Sequence, residues 1–184
     1  MLYLASSSSS RANLLKEVNI KFKQIFFDYN EKGVQDKNPF SYVQKVVFEK
    51  EKQFLEKHCE FKNILFADSI VCVENEIFTK ATNDEEALKM LKFQSGKTIS
   101  VLSAMILILD NKRLINLSKS DLILKHFDEK DLQSYIDSKL YQNKAGAVMS
   151  EGFHKKYIKK IIGNQSTILG LNIEILKAFY DENI

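Results

Sequence analysis

Four charged side chains of this sequence have the chemistry that phosphate transfer requires. Asp68 stands inside the otherwise apolar segment NILFADSIVCV, where a carboxylate is costly to bury unless it is paired or binds a metal. Lys50 belongs to a helical segment, Glu31 to a polar loop, and Lys80 follows a turn after the Asp68 segment. Together they suit a metal-bound triphosphate, because carboxylates hold Mg²⁺ and cations neutralise phosphate oxygens. The competing interpretation is a strand-end Asp68 that caps a neighbouring backbone and surface positions for the other three.

The serine run Ser6–Ser10 offers a second kind of phosphate ligand. The apolar segment Leu2–Ala5 before it predicts a buried strand, and the leucines after it predict a helix that begins near Ser9 or Ser10. In such a strand–loop–helix unit, hydroxyl and backbone N–H groups converge at the helix N-terminus, where anions bind. The run lacks the glycines and the GK[ST] ending of a Walker A loop, and the chain has no GxSxG motif. Anion binding is therefore favoured over a nucleophilic serine.

The elements that must position these residues alternate between strands and helices. The segments Asn63–Val73 and Thr98–Leu109 predict buried strands, and Asn38-Pro39 predicts the start of a helix that runs to about Cys59. The further predictions are a strand at Ile20–Phe27, a turn at Glu74–Glu76, a capping box from Thr82 to Glu85 before a helix ending near Phe93, a hairpin strand at Arg113–Leu117, a helix starting at Asp128, a loop or turn at Lys144–Phe153, a turn at Ile161–Gly170 and a terminal helix at Ile173–Tyr180. Because hairpins interrupt the alternation, we expect a mixed rather than a purely parallel sheet.

Bulk composition excludes several classes of function. The chain has 184 residues, of which 45% are hydrophobic, which fits one domain or one domain with a small second lobe. The net charge of +3 is too small for a nucleic-acid-binding surface, and the longest apolar stretch is shorter than the roughly 20 residues that span a bilayer. Neither the two cysteines nor the three histidines have metal-ligand or catalytic spacing. We therefore expect a cytoplasmic protein that binds neither nucleic acid nor membrane.

Six blocks of the sequence, in order, resemble the Maf nucleotide pyrophosphatases, whose fold is related to that of the inosine-triphosphate pyrophosphatases. The blocks are LASSSSSRANLL, YVQKVVFEKE, FADSIV, FTKATNDEEALKMLKFQSGK, KAGAVMSEG and IIGNQSTILGLNIEIL. The resemblance covers nearly the whole chain. It implies a single Maf-like domain over residues 1–184, of the α/β class, with an elongated mixed β-sheet flanked by helices and two lobes with a central cleft.

The resemblance also implies an activity, namely the house-cleaning hydrolysis of a nucleoside triphosphate to the monophosphate and pyrophosphate with Mg²⁺ or Mn²⁺. Carried over by position, Asp68 is the catalytic carboxylate, as base or metal ligand, and Glu31 is a metal-binding acid. Lys50 and Lys80 are implied to neutralise the phosphates. Such charge neutralisation makes chemical sense, because water must attack a phosphorus whose oxygens repel it.

Substrate-binding positions follow from the same resemblance. Ser6, Ser8 and Arg11 match the opening loop of the family, which binds phosphate. Glu151 in the stretch SEGF resembles the subgroup that prefers 7-methyl-GTP, and its carboxylate could accept hydrogen bonds from a guanine. The substrate is thus expected to be a nucleoside triphosphate, with 7-methyl-GTP or another modified nucleotide as the specific candidate, and a homodimer stays open.

The opening loop departs from the family pattern. Ser9 and Ser10 stand where the family has a proline and an arginine, so the loop carries less positive charge. This departure motivates an alternative function, a catalytically weak Maf-like regulator of cell division that binds nucleotide or a protein partner. A nucleic-acid-binding module is disfavoured, because the chain has no aromatic-basic platform.

Overall fold

The computed structural model describes residues 1–182 and has a mixed α/β architecture, as predicted. Its strands are β1 (Leu2–Leu4), β2 (Phe22–Gln24), β3 (Asn63–Val73), β4 (Glu76–Phe78), β5 (Thr98–Leu109), β6 (Lys112–Leu124) and β7 (Ile158–Ile162). Its α-helices are α1 (Ser9–Glu17), α2 (Pro39–Lys57), α3 (Asp84–Gln94), α4 (Glu129–Asp137), α5 (Gln165–Ile168) and α6 (Ile173–Asp181), and a 3₁₀ helix covers Phe153–Tyr157. No helix within residues 1–182 is long and apolar enough to cross a membrane.

The seven strands form one mixed sheet. The strand order is β2-β1-β3-β5-β6-β7, and β4 pairs with β3. Strand β1 runs parallel to both β2 and β3, whereas the β3–β4 and β6–β7 pairs are antiparallel. The predicted mixed sheet flanked by helices is therefore confirmed.

Two compact units share the chain, and strands β3, β5 and β6 each have residues in both. Unit 1 comprises Met1–Ser69, Ser103–Ser118 and the chain from Leu169 to the last described residue, Glu182. Its core consists of buried aliphatic side chains of β1, α1, β3, β5 and α6. Leu14 and Leu15 are buried in this core and Val18 packs against it, and the helical spacing of these three residues is what predicted the helix.

Unit 2 comprises Ile70–Leu102 and Lys119–Ile168. Its core is made of apolar side chains from β3, α3, β5, β6 and α4, together with the buried rings of Phe127, Tyr141 and Tyr157. Each unit thus has a hydrophobic cluster of its own, made from segments far apart in sequence.

Local signals fix the ends of several helices. The Asn38 side chain accepts hydrogen bonds from the backbone N–H groups of Phe40 and Ser41 at 2.9 and 3.2 Å, with Pro39 in the first turn. These contacts satisfy donors that the helix itself leaves unpaired. Asp128 caps α4 in the same way, so both predicted helix starts are confirmed.

Four predicted elements differ from the structure. The stretch Ile161–Gly170, predicted as a turn, contains the end of β7 and the short helix α5. The capping residue of α3 is Asn83 rather than Thr82, because Asn83 accepts from the N–H of Glu86 while the Glu86 carboxylate accepts from the N–H of Thr82. Strand β2 covers only Phe22–Gln24, since its partner β1 offers three residues. Strand β6 extends seven residues beyond its predicted end at Leu117. The extension was not predicted because the polar side chains around Ser120 hide an alternating pattern of buried residues.

The two cysteines lie in contrasting surroundings. Cys59 is exposed just beyond the end of α2, whereas Cys72 is buried in β3. Burial raises the pKa of the Cys72 thiol, because a thiolate would lose its hydration there.

Candidate active site

Three of the residues singled out by the sequence meet in unit 1. The Lys50 Nζ donates a hydrogen bond to Asp68 Oδ1 at 2.5 Å and lies 2.8 Å from Glu31 Oε1. Lys50 comes from α2, Asp68 from the middle of β3, and Glu31 from the loop between β2 and α2. One ammonium group therefore stands between two carboxylates from different elements.

The helical repeat explains why Lys50 is buried. The residues Val43, Val46, Val47 and Phe54 form the buried face of α2, and Lys50 shares that face. Only 8% of Lys50 is exposed, so its charge needs partners that offset the lost hydration. Asp68, with 16% of its side chain exposed, is the buried partner, and Glu31, with 44%, is the exposed one.

Arg11 organises the opening loop from inside the protein. Its guanidinium donates three hydrogen bonds, to Ser6 Oγ at 3.0 Å, to Ser69 Oγ at 2.9 Å and to the Gly170 carbonyl at 3.1 Å. Burial lowers the pKa of Arg11, while the negative charges of Asp68 and Glu31 act in the opposite direction. An arginine keeps its charge in proteins, so Arg11 contributes a buried positive charge close to Asp68.

The predicted phosphate-binding serines have internal hydrogen bonds. The Ser8 side chain is the N-cap of α1 and accepts from the backbone N–H of Arg11 at 3.3 Å. The Ser6 side chain accepts from the backbone N–H of Ser8, also at 3.3 Å. These hydroxyls shape the loop, and Ser9 and Ser10 are the first residues of α1.

Three residues that the sequence patterns did not single out hold the site together. Gln53 forms a reciprocal pair with the Asn30 backbone, donating to its carbonyl at 2.8 Å and accepting from its N–H at 2.9 Å. The Tyr29 hydroxyl donates to the Ala5 carbonyl at 3.2 Å, and Gln24 donates to the Ser6 carbonyl at 2.6 Å. The loop that carries Glu31 is thereby anchored both to α2 and to the opening loop.

One of these residues had a signal in the sequence. Gln53 follows Lys50 by three positions in a helix, so both side chains project from neighbouring positions. Tyr29 and Gln24 had no comparable signal, because their partners are backbone carbonyls that no side-chain pattern marks. Burial raises the pKa of Tyr29, so its hydroxyl stays protonated as the donor.

The positive and negative charges of the site are equal in number, and this balance affects how the site can bind a metal. Arg11 and Lys50 carry two positive charges, and Glu31 and Asp68 carry two negative ones. Within residues 1–182, no group of three or more His, Cys, Asp or Glu side chains is arranged to hold a metal. Mg²⁺ typically needs only one or two carboxylates together with water and substrate phosphates. The Glu31 and Asp68 pair fits that requirement.

The remaining two predicted residues belong to unit 2. Lys80 is exposed and forms an isolated antiparallel bridge with Ala145. Glu151, with 49% of its side chain exposed, accepts a hydrogen bond from Ser150 Oγ at 3.1 Å and lies 3.9 Å from Lys144 Nζ. Unit 1 therefore brings together Ser6, Ser8, Arg11, Glu31, Lys50 and Asp68, and unit 2 holds Lys80 and Glu151.

Comparison with solved structures identifies the class of fold. The Staphylococcus aureus Ham1 protein superimposes with a TM-score of 0.55, covering 100% of this chain and 99% of that one, at 13% sequence identity. At that identity the likeness concerns the fold alone, and it confirms the predicted relation to the inosine-triphosphate pyrophosphatase fold.

Comparison of sequences identifies the family. The model of the family described as Maf-like protein matches residues 1–182, and the chain belongs to this family. A Campylobacter jejuni subsp. doylei protein named nucleoside triphosphate pyrophosphatase is 53% identical, over 97% of this chain and 100% of that protein. Proteins of the same name from Nitratiruptor and from Helicobacter pylori strain G27 are 40% and 43% identical, covering 96% and 94% of this chain and 96% and 91% of their own lengths.

Proposed function

We propose that this protein hydrolyses a nucleoside triphosphate to the monophosphate and pyrophosphate in a house-cleaning role. The observation that carries the proposal is the Lys50 ammonium held between Asp68 and Glu31, in a chain whose Maf relatives are named for this activity. An ammonium between two carboxylates has the groups that a metal-dependent phosphoanhydride cleavage uses.

In this proposal Asp68 acts at the scissile phosphorus. Its carboxylate would accept the proton of the attacking water or, together with Glu31, would hold Mg²⁺ or Mn²⁺. The metal, when bound, offsets the negative charge of the phosphate oxygens. Lys50 fixes the two carboxylates at one point and adds a positive charge beside the phosphates.

The opening loop and Lys80 are the remaining proposed phosphate-binding groups. Arg11 holds Ser6 in place, and Ser8 caps α1, so the backbone N–H groups at the start of this helix are fixed for an anion. We assign Ser6, Ser8 and Arg11 to substrate binding through this loop. We propose that Lys80, together with Lys50, neutralises the phosphates.

Glu151 is the proposed determinant of the base. Its carboxylate can accept hydrogen bonds from the N1–H and the exocyclic amine of a guanine, which supports 7-methyl-GTP or another modified guanine nucleotide as substrate. Turnover of 7-methyl-GTP, dTTP and UTP, measured side by side, tests this assignment. Preference for the two pyrimidine nucleotides would contradict it.

The central test is release of pyrophosphate from a panel of nucleoside triphosphates with Mg²⁺ or Mn²⁺. The Asp68→Asn variant is expected to lose about 10²–10⁴-fold in kcat, the usual contribution of a positioned acid or base. Asp110→Asn is the matched control. Asp110 is exposed in a turn and has a positive φ, a backbone conformation that asparagine also adopts. Absence of pyrophosphate with every nucleotide would overturn the proposal.

A second candidate function is the catalytically weak regulator of cell division that binds nucleotide or a protein partner. One observation on Arg11 favours this alternative function. The Arg11 guanidinium is buried, and its hydrogen bonds go to other groups of the protein, namely Ser6, Ser69 and Gly170. Nucleotide binding without pyrophosphate release would support this alternative, and turnover that Asp68→Asn abolishes would exclude it.

We further propose that the chain acts in the cytoplasm, where nucleotides are available, as one Maf-like domain that includes both units. Neither nucleic acid nor a membrane is a proposed partner. Sedimentation equilibrium tests the open question of a homodimer.

A further inference from the structure

A buried histidine in unit 2 has no part in the proposed chemistry. His154 is 0% exposed, and its ring makes two hydrogen bonds. The backbone N–H of Met149 donates to its Nδ1 at 3.1 Å, and its Nε2 lies 3.2 Å from Gln94 Oε1. Since Nδ1 accepts a hydrogen bond, the proton of the neutral ring is on Nε2, which donates to Gln94.

Gln94 extends this network from α3 to a second point on the chain. It is also 0% exposed, and its Nε2 donates to the Gly146 carbonyl at 2.6 Å. Because the amide of Gln94 has one acceptor oxygen and one donor nitrogen, the Gly146 bond fixes the side chain with Oε1 facing His154. Gly146 and His154 bracket the segment that contains Glu151.

His154 also closes the loop on which Glu151 lies. Besides the bond to its ring, the backbone N–H of His154 donates to the Met149 carbonyl at 3.1 Å, as does the N–H of Gly152. Met149 and His154 are thus joined by a reciprocal pair of bonds, and Glu151 lies between them. The loop has a fixed base made of backbone and imidazole groups.

Aromatic rings enclose the imidazole on several sides. Phe127, Tyr135 and Phe153 meet it nearly edge-on, with ring centroids 5.4, 6.3 and 5.1 Å away. Burial lowers the pKa of His154 to about 3, so the ring is neutral at physiological pH. A protonated ring would lose the Met149 bond, because Nδ1 would no longer accept.

We propose that His154 and Gln94 are positioning residues that hold the Glu151 loop for recognition of the base. The inference rests on the proposed function, because it assumes that Glu151 reads the nucleotide. Its physical basis is that an exposed carboxylate can discriminate between bases only if its backbone is held in place. All members of the network belong to unit 2, so they are expected to affect selectivity rather than the chemical step.

Binding of non-hydrolysable nucleotides tests this inference apart from catalysis. The dissociation constants of α,β-methylene analogues of GTP and UTP are measured by calorimetry for the wild type, His154→Asn and Gln94→Met. His154→Asn keeps an acceptor near the Nδ1 position, and Gln94→Met keeps the volume of the side chain. The preference for the guanine analogue is expected to fall about tenfold in both variants. His126→Asn is the matched control, because His126 is exposed in the same unit.

A double-mutant cycle shows whether the effect passes through Glu151. In the Glu151→Gln background, His154→Asn is expected to leave the guanine-to-uracil ratio unchanged. An unchanged ratio in His154→Asn and Gln94→Met, or an equal loss for both analogues, overturns the inference. Absence of pyrophosphate release in the wild type instead overturns the proposed function, because the binding ratios do not depend on turnover.

The wild-type protein provides a test that needs no variant. Nitrogen chemical shifts of the His154 ring, recorded from pH 5 to 8, are expected to show a neutral Nε2–H tautomer throughout. A ring that protonates in this range would contradict the network on which the inference is built.

Discussion

Lys50 in unit 1 and His154 in unit 2 are both buried basic side chains, yet they are accommodated in opposite ways. Lys50 retains an ion-paired ammonium because Asp68 and Glu31 bring two carboxylates to it. His154 is kept neutral, with a backbone N–H and the Gln94 amide as its ring partners. The difference shows that burial alone does not define a chemical site. Charged partners suit phosphate and metal, and neutral partners suit the fixing of a loop.

Among the variants that test this comparison, the largest effect is expected from removal of the Lys50 charge in unit 1. Lys50→Met leaves Asp68 and Glu31 without their shared cation and should lower kcat by about 10²–10³-fold, the range for a lost electrostatic stabiliser. Pyrophosphate release measures the effect. Lys52→Met, an exposed position of the same helix, is the control and should keep its activity. Equal activity of the two variants would show that the cluster is not catalytic.

Arg11→Met should lower the stability of the protein. The substitution removes the three buried hydrogen bonds that the guanidinium donates to the Ser6 hydroxyl, the Ser69 hydroxyl and the Gly170 carbonyl, which should cost about 3 kcal/mol of unfolding free energy. Urea unfolding measures the loss. Arg113→Met is the comparison, because Arg113 is an exposed arginine paired with Glu51 and should cost less than about 1 kcal/mol. Similar losses in both variants would refute the organising role of Arg11.

The neutral histidine of unit 2 predicts a pH dependence of stability. The folded pKa of His154 is depressed from 6.5 to about 3, so between these values the unfolded chain binds a proton that the folded protein does not. Stability should therefore fall as the pH drops below about 6.5, by on the order of 1 kcal/mol per pH unit from this group. Urea unfolding of the wild type and His154→Asn at pH 4.5–7 measures it, and the variant should lack this part of the slope. If the unfolding free energies of the wild type and His154→Asn had the same dependence on pH, His154 would have to be protonated in the folded protein.

A smaller effect is expected where a neutral side chain supports the charged site. Gln53→Leu removes both bonds to the Asn30 backbone, next to Glu31, and should weaken divalent-metal binding about tenfold. Electron paramagnetic resonance of Mn²⁺ measures binding without substrate. Gln44→Leu, on the same helix, serves as the control. Unchanged Mn²⁺ affinity in Gln53→Leu would contradict the proposal that Glu31 binds the metal.

The sequence predicts much of the fold because its strongest signals are local. Strands β3 and β5 are long apolar runs, and their predicted bounds match the structure. The cap at Asn38 likewise depends only on its neighbours. Strand β2 was predicted too long because its length depends on β1, which no local pattern encodes.

The sequence singled out the charged residues that meet in unit 1, but not the side chains that hold them. Asp68 is conspicuous because a carboxylate in an apolar strand needs a partner, and the family resemblance indicated Lys50 and Glu31. The bond between Arg11 and Gly170 joins residues 159 positions apart, and that between His154 and Gln94 joins residues 60 apart. Such contacts depend on the folded chain, so residue types and spacing do not reveal them.

The contrasting cysteines give the protein a natural attachment point for a probe. Thiol-reactive dyes require an accessible thiolate, and Cys72 is disfavoured by both its burial and its raised pKa. Cys59 is accessible one residue beyond the C-cap of the helix that carries Lys50. A fluorophore attached there would report on unit 1 without any engineered residue.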